Sequence, residues 1–299
     1  MLVLETICHE TLWGGSRLTA LSGTTCSKIG HLYSVFCRDG LSNRILNGPC
    51  AGKTLDEVFG LWKHDFHMDQ YDRFPLTVAL TSADEDLSIQ VHPNDEMAGG
   101  IEHMARGKRE SWYFLVPPKS GWILNGCVCR DEEEKEQFLA AGRYREMTDT
   151  LAVETGDYVF VHPGTLHSLT AGSLVYEIEE GADLTYRFYD YDRKDADGKL
   201  RELQVDKAVM ALDFRRKSVC RQYPPSGEIV EETYVTKKLS QAVEYRNTSG
   251  TLECLTLLEG GFVCGGVSVT PGMTVLLWPG EAVCDAEIRS AIAARLRGE

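Results

Sequence analysis

Asp86-Leu-Ser-Ile-Gln-Val-His-Pro-Asn-Asp95 alternates apolar and polar side chains until a proline stops it. In a strand, residues two apart share a face, so Ser88, Gln90 and His92 project together while Leu87, Ile89 and Val91 turn to the core. A hydroxyl, an amide and an imidazole opposite three aliphatics suit the inner wall of a barrel with a polar interior. Working outward, Ser111 to Val116, Asp157 to Val161, Ser173 to Ile178 and Thr185 to Tyr189 are also strand-length and rich in β-branched and aromatic residues. Gly99-Gly100, Pro117-Pro118, His162-Pro-Gly164 and Ala171-Gly172 read as turns between such strands. Many short strands punctuated by Gly and Pro predict a mainly β sandwich or jelly roll.

Three stretches predict short helices. Thr54 to Phe59 carries a capping-box spacing in Thr54 and Glu57. Asp131 to Gly142 opens on acidic residues and closes at a glycine, which suits the helix dipole and a C-terminal cap. Val205 to Leu212 is shorter. Arg215 to Pro225 reads as a linker, and from Glu231 the alternation returns in Thr233 to Lys237, Leu252 to Leu258, Phe262 to Val269 and Thr274 to Trp278, with Gly-Gly and Pro-Gly turns between. The expected organisation is a main domain over residues 1–220 and a smaller C-terminal β domain over 221–299. The latter contains no histidine, so imidazole chemistry belongs to the former.

The 299 residues carry a net charge of −14, with no block of basic residues, so the overall field repels nucleic acids and anionic membrane surfaces. No apolar run is long enough to cross a bilayer, and Met1 to Gly15 lacks the basic start of a signal peptide. The ten scattered cysteines are therefore expected to be free thiols in a reducing, cytoplasmic setting. Cys127 and Cys129 lack a second pair at zinc-ribbon spacing.

Two further segments join the first in a candidate site. Gly107-Lys-Arg-Glu-Ser-Trp-Tyr-Phe114 places Lys108 and Glu110 on one strand face, and His167 follows a Pro-Gly turn. Gln90, His92, Glu110 and His167 together offer two imidazoles, a carboxylate and an amide oxygen, a mixed set that suits Zn²⁺ or another borderline divalent ion with Lewis-acid character. His162, next to a proline in a turn and off the inner face by alternation, reads as structural.

Ser88-Ile-Gln-Val-His-Pro-Asn-Asp95, Gly107 to Phe114, Gly164-Thr-Leu-His-Ser-Leu169 and Asp183-Leu-Thr-Tyr-Arg-Phe-Tyr-Asp-Tyr-Asp-Arg193 resemble, in order, motifs of the type I mannose-6-phosphate isomerases, in particular the short bacterial form. Leu12 to Leu18 and Asn47 to Leu55 fit the same family. The resemblance implies a cupin-type jelly roll holding one Zn²⁺ on Gln90, His92, Glu110 and His167. It implies interconversion of mannose 6-phosphate and fructose 6-phosphate through an enediol, with Arg187 catalytic, Ser88 and Lys108 in the active site, and Glu177 and Asp183 lining the same pocket. Glu177 is the expected base, and Lys108 and Ser88 are expected to meet the phosphate at the pocket mouth.

This chain also departs from the pattern. A lysine is common in the strand after Phe-Pro-Leu, where it reads Phe74-Pro-Leu-Thr-Val-Ala-Leu80. Gly30-His-Leu-Tyr33 stands where Gly-Glu-x-Trp is frequent, and Glu179-Glu180 where paired glutamines are usual. Two other readings therefore stand beside the first: a non-catalytic metal-binding cupin serving as a sugar-binding or regulatory module, and an isomerase for a different sugar.

Overall fold

The computed structural model describes residues 1–22, 26–38, 40–195 and 197–298. Two sheets face each other to form the main body. The larger has seven antiparallel strands in the order Cys220–Gln222, Asp157–Val161, Lys108–Val116, Leu174–Gly181, Leu76–Ser82, Ile29–Val35 and Ile7–Gly15. The smaller orders Thr148–Ala152, Trp122–Cys127, His167–Ser168, Ile89–Val91 and Tyr186–Tyr189. Trp112, Phe114, Val159 and Val175 of the first pack against Ile123 of the second in a buried core at one end. The polar site occupies the same interlayer space. The result is the expected jelly roll of the cupin type.

Alternation decides what each face of the larger sheet does. Glu110, Glu179 and Thr77 stand in one cross-strand row, and Trp112, Glu177, Ala79 and Tyr33 in the next. A third row holds Phe114, Val175, Thr81, His31 and His9. These face inward. The intervening Tyr158, Tyr113, Tyr176, Leu80 and Leu32 face outward, into a second core shared with Tyr234, Cys254, Leu276, Ile292 and Leu296 of the C-terminal sheet. Both faces are thus buried, and all seven residues of Leu76–Ser82 are inaccessible to solvent.

The C-terminal sheet therefore covers the back of the larger sheet. Its strand order is Leu2–Leu4, Thr274–Leu277, Glu253–Cys264, Glu287–Leu296, Tyr234–Ala242 and Glu228–Val230, with Val267–Val269 paired to Glu253–Cys264. The N-terminal strand belongs to this sheet, through the register Leu2 to Leu276. The stretch expected to be a linker contains Cys220–Gln222, which is hydrogen-bonded to Asp157–Val161. A division at residue 220 falls inside that strand.

All three expected helices form. Leu55–Trp62 has its capping box, Thr54 accepting from the Glu57 amide and Glu57 from the Thr54 amide, and it buries Leu55, Val58, Phe59 and Trp62 in the shared core. Glu132–Ala140 is capped by Asp131, and Val205–Ala211 flanks the smaller sheet. A further helix, Asp95–Glu102, spans the Gly99-Gly100 expected as a turn. Each interior glycine costs a helix about 1 kcal/mol, but the Asn94 side chain caps the Met97 amide, and Asp95 and Glu96 sit at the positive end of the dipole. Likewise Gly260-Gly261 is not a turn: it lies within Glu253–Cys264 as an irregularity in the pairing.

Candidate active site and metal centre

The site sits between the two sheets. On the smaller sheet Asn125, His167, Gln90 and Arg187 form one cross-strand row. On the larger sheet Glu110 and Glu177 come from adjacent strands, and His92 follows directly from Ile89–Val91. Three separate segments of sequence thus bring His92, Glu110 and His167 together, all buried, with their ligand atoms within 4.8 Å of one another.

The proton positions on the imidazoles follow from their partners. His92 Nδ1 lies 2.9 Å from the Leu184 carbonyl and His167 Nδ1 lies 2.8 Å from that of Thr165. A carbonyl only accepts, so both Nδ1 atoms carry hydrogen and both Nε2 atoms keep a lone pair. Burial holds both imidazoles neutral, with His167 lowered to about 3. The His92 lone pair meets Glu110 Oε2 at 2.8 Å. Burial alone would raise the Glu110 carboxyl, yet the Lys108 ammonium beside it holds it well below the usual carboxylate range. The Lys108 ammonium lies against this same oxygen, Oε2, at 3.1 Å, but Glu110 Oε1 is buried with no hydrogen-bond partner, and the His92 and His167 lone pairs converge on the same carboxylate. The donor set therefore fits a divalent ion, with the backbone carbonyls orienting the two histidines behind it.

Gln90 lies beside this group. Its side-chain nitrogen is 3.4 Å from His167 Nε2, and its oxygen accepts from Ser88 at 2.8 Å. Because a hydroxyl also accepts, a half-turn of the amide that brings oxygen toward the imidazoles keeps the Ser88 bond. Ser88 is only 2% exposed and orients Gln90, away from any pocket mouth.

Lys108 is also not at an open mouth. It is 4% exposed, and its ammonium lies 2.7 Å from Glu179 and 3.1 Å from Glu110. Burial lowers its pKa, but Glu110, Glu179 and Asp183 overcome this and hold it well above normal. Glu177 accepts from Trp112 Nε1 at 3.1 Å and from Thr81. Burial, followed by the charges of Glu110 and Glu179, raises its carboxyl well above the ordinary value. Arg187 is half-buried, its Nε has no hydrogen-bond partner, and burial together with Arg201 lowers it to about 10. Asp190 pairs with Arg193 and Arg201 instead. Asp183 stands at the rim, lining a cleft of about 460 Å³ with Arg38, Tyr71 and Arg106. His162 lies elsewhere, beside Arg109 and Arg216 in a cavity of about 220 Å³.

His9, His31 and Tyr33 were not among the residues expected at the site. His31 stacks on Tyr33 with ring centres 5.2 Å apart and meets the edge of Trp13 at 5.0 Å. The alternation of Gly30 to Val35 was the available signal, since it places His31 and Tyr33 on the face that Glu177 shares.

A jelly roll with a buried two-histidine, one-carboxylate cluster between its sheets, an arginine beside it and an open cleft at its rim defines a metal-binding cupin. Residues 1–110 match the family model of the phosphomannose isomerase type I catalytic domain. The chain is 34% identical over 236 residues to mannose-6-phosphate isomerase ManA of Bacillus subtilis, covering 79% of this chain and 74% of that one. It is 37% identical over 213 residues to the probable mannose-6-phosphate isomerase GmuF of the same organism, covering 71% and 68%. The crystal structure of the Bacillus subtilis mannose 6-phosphate isomerase superposes with a TM-score of 0.81 at 27% identity, covering 98% of this chain and 99% of that one. The chain belongs to the type I mannose-6-phosphate isomerase family of enzymes. Among the described residues no helix is long and apolar enough to cross a membrane.

Proposed function

We propose that the enzyme interconverts mannose 6-phosphate and fructose 6-phosphate through an enediol, with one divalent ion, Zn²⁺, on Gln90, His92, Glu110 and His167. The observation that carries the metal is the 2.8 Å approach of the His92 lone pair to an ionised Glu110. Family membership supports the substrate. When bound, the ion supplies Lewis acidity toward the sugar oxygens at C1 and C2. Glu177 takes the proton from C2 of the aldose and returns it to C1 of the enediol while the hydroxyl proton passes from O2 to O1; burial raises the Glu177 pKa and so makes its carboxylate a stronger base. Arg187, with an unpaired donor beside Gln90, stabilises the negative charge on the enediolate oxygen. Lys108 balances the charge of Glu110 and Glu179, and Asp183 at the rim contacts the incoming sugar.

We also take residues 1–220 as the catalytic unit, with the first strand lent to the C-terminal sheet, and the ten free cysteines support a reducing, cytosolic setting. A second reading, an isomerase for a different sugar, is favoured by one observation: Lys108 is already neutralised by two carboxylates and so has little left for a phosphate. The test is solvent-deuterium exchange into mannose 6-phosphate, fructose 6-phosphate and free mannose by the Zn²⁺-loaded protein. Exchange into both sugar phosphates, abolished by chelation and restored by Zn²⁺, is expected. Exchange into free mannose alone selects the second reading, and exchange into neither sugar phosphate refutes the first.

A further inference from the structure

The Glu177 carboxyl is held from two sides. Oε1 accepts from the Trp112 indole at 3.1 Å, and Oε2 accepts from the Thr81 hydroxyl. That hydroxyl has a second neighbour, His31 Nδ1, at 2.9 Å, and the same nitrogen lies 3.5 Å from Glu177 Oε2. A threonine has one proton to give. If His31 carried its hydrogen on Nε2, its bare Nδ1 would compete for the Thr81 proton and leave Oε2 facing lone pairs. With the hydrogen on Nδ1, His31 donates to Thr81 and the Thr81 proton has only Glu177 to go to. With Glu177 ionised, as its role as base requires, the hydrogen bonds therefore run from His31 to Thr81 and from Thr81 to Glu177.

The rest of the surroundings supports this chain. His31 is clamped by its stack on Tyr33 and the edge of Trp13, so the ring has little freedom to turn Nδ1 away. Ala79, in register with both Glu177 and Tyr33, brings no charge to the carboxyl, and the Lys108 ammonium lies between Glu110 and Glu179. Thr81 and Trp112 are thus the donors that fix the orientation of Glu177.

We propose that His31 and Thr81 are positioning residues for Glu177, His31 Nδ1–H donating to Thr81 Oγ1 and the hydroxyl so directed donating to Glu177 Oε2, which fixes the carboxylate that exchanges the substrate proton. This rests on the reading of Glu177 as the base. A polar chain of this kind acts on the step that uses the base and leaves sugar binding largely alone.

The experiment is steady-state kinetics of the Zn²⁺-loaded, full-length enzyme on mannose 6-phosphate, with metal content measured for each variant. Thr81→Val keeps the shape and removes the hydroxyl, and it is expected to lower kcat about tenfold or more with KM within about threefold. Thr81→Ser should restore most of the turnover. His31→Phe keeps the aromatic stack but lacks Nδ1–H, and should match Thr81→Val. The double variant should be no worse than Thr81→Val, because the two act in series. An active native enzyme whose Thr81→Val turns over normally, or in which Thr81→Ser is as impaired as Thr81→Val, overturns the positioning role alone. Multiplying losses in the double variant overturn the serial chain. A native protein inactive on both sugar phosphates overturns the functional reading and this role with it.

Discussion

Lys108 touches Glu110 of the metal cluster and Arg187 pairs in register with Gln90, and their surroundings separate their roles. The Lys108 ammonium is buried between two carboxylates, so its removal leaves Glu110 and Glu179 facing each other without a counter-charge. Breaking a buried pair from one side costs about 3–5 kcal/mol. Lys108→Met should therefore lower the urea midpoint of the metal-free protein. A change in KM for the sugar phosphate at unaltered stability would return Lys108 to the phosphate. Arg187 offers the opposite case, a half-buried guanidinium with an unpartnered nitrogen in the same row as Gln90. Arg187→Ala should lower kcat by roughly 10²-fold, as losing a preorganised oxyanion donor does, with metal content unchanged. Loss of bound metal in that variant would show that it holds the site together instead. The sequence made both residues visible, because a lysine two before Glu110 and an arginine in a strand are local patterns. It could not show that Glu179 faces Lys108, a contact set by pairing between strands that lie 71 residues apart.

The same limit applies to elements. Alternation located the strands of the larger sheet, yet only the register shows that Glu177, Ala79 and Tyr33 form one row beside His31 and Thr81. His31 was legible as a departure from the family pattern, but its partner Thr81 lies 50 residues further on, beyond the helix Leu55–Trp62. Glycine pairs misled for a local reason: a turn needs them, but so does a crowded strand. Gly260 has φ +117, and a Cβ there would stand 1.8 Å from the Glu287 carbonyl oxygen. A side chain at Gly250 would meet nothing within 4 Å. Gly260→Ala should destabilise the protein by at least ~2 kcal/mol, through backbone strain in the longest C-terminal strand, whereas Gly250→Ala should stay within about 0.5 kcal/mol. Equal denaturation midpoints for the two variants would mean that the irregularity at Gly260 is not under strain.

For the whole molecule, burying so many titratable groups between two sheets makes stability depend on pH in a way the net charge of −14 does not reveal. Burial, aided by neighbouring histidines, lowers His31 and His167 from 6.5 to about 3. Between those values the unfolded chain binds protons that the folded one refuses, so each of the two makes stability fall as the pH drops. Glu177 and Glu179 act the other way above 4.5, because burial raises their pKa and the folded state binds the proton first. From about pH 6.5 to 4.5 the two effects oppose each other. Below 4.5 the unfolded glutamates are protonated as well, and the opposing contribution stops growing. The two histidines then act unopposed, and Glu110, held well below 4.5 against its own burial chiefly by Lys108, adds to them. Two histidines alone give a slope of up to about 2.7 kcal/mol per pH unit. The urea midpoint of the metal-free protein should thus change little down to about pH 4.5 and fall steeply from there toward pH 3. His31→Phe should make that fall shallower by about half of the two-histidine slope. A midpoint at pH 3.5 as high as at pH 5 would mean that the imidazoles between the sheets can take up protons without opening the fold.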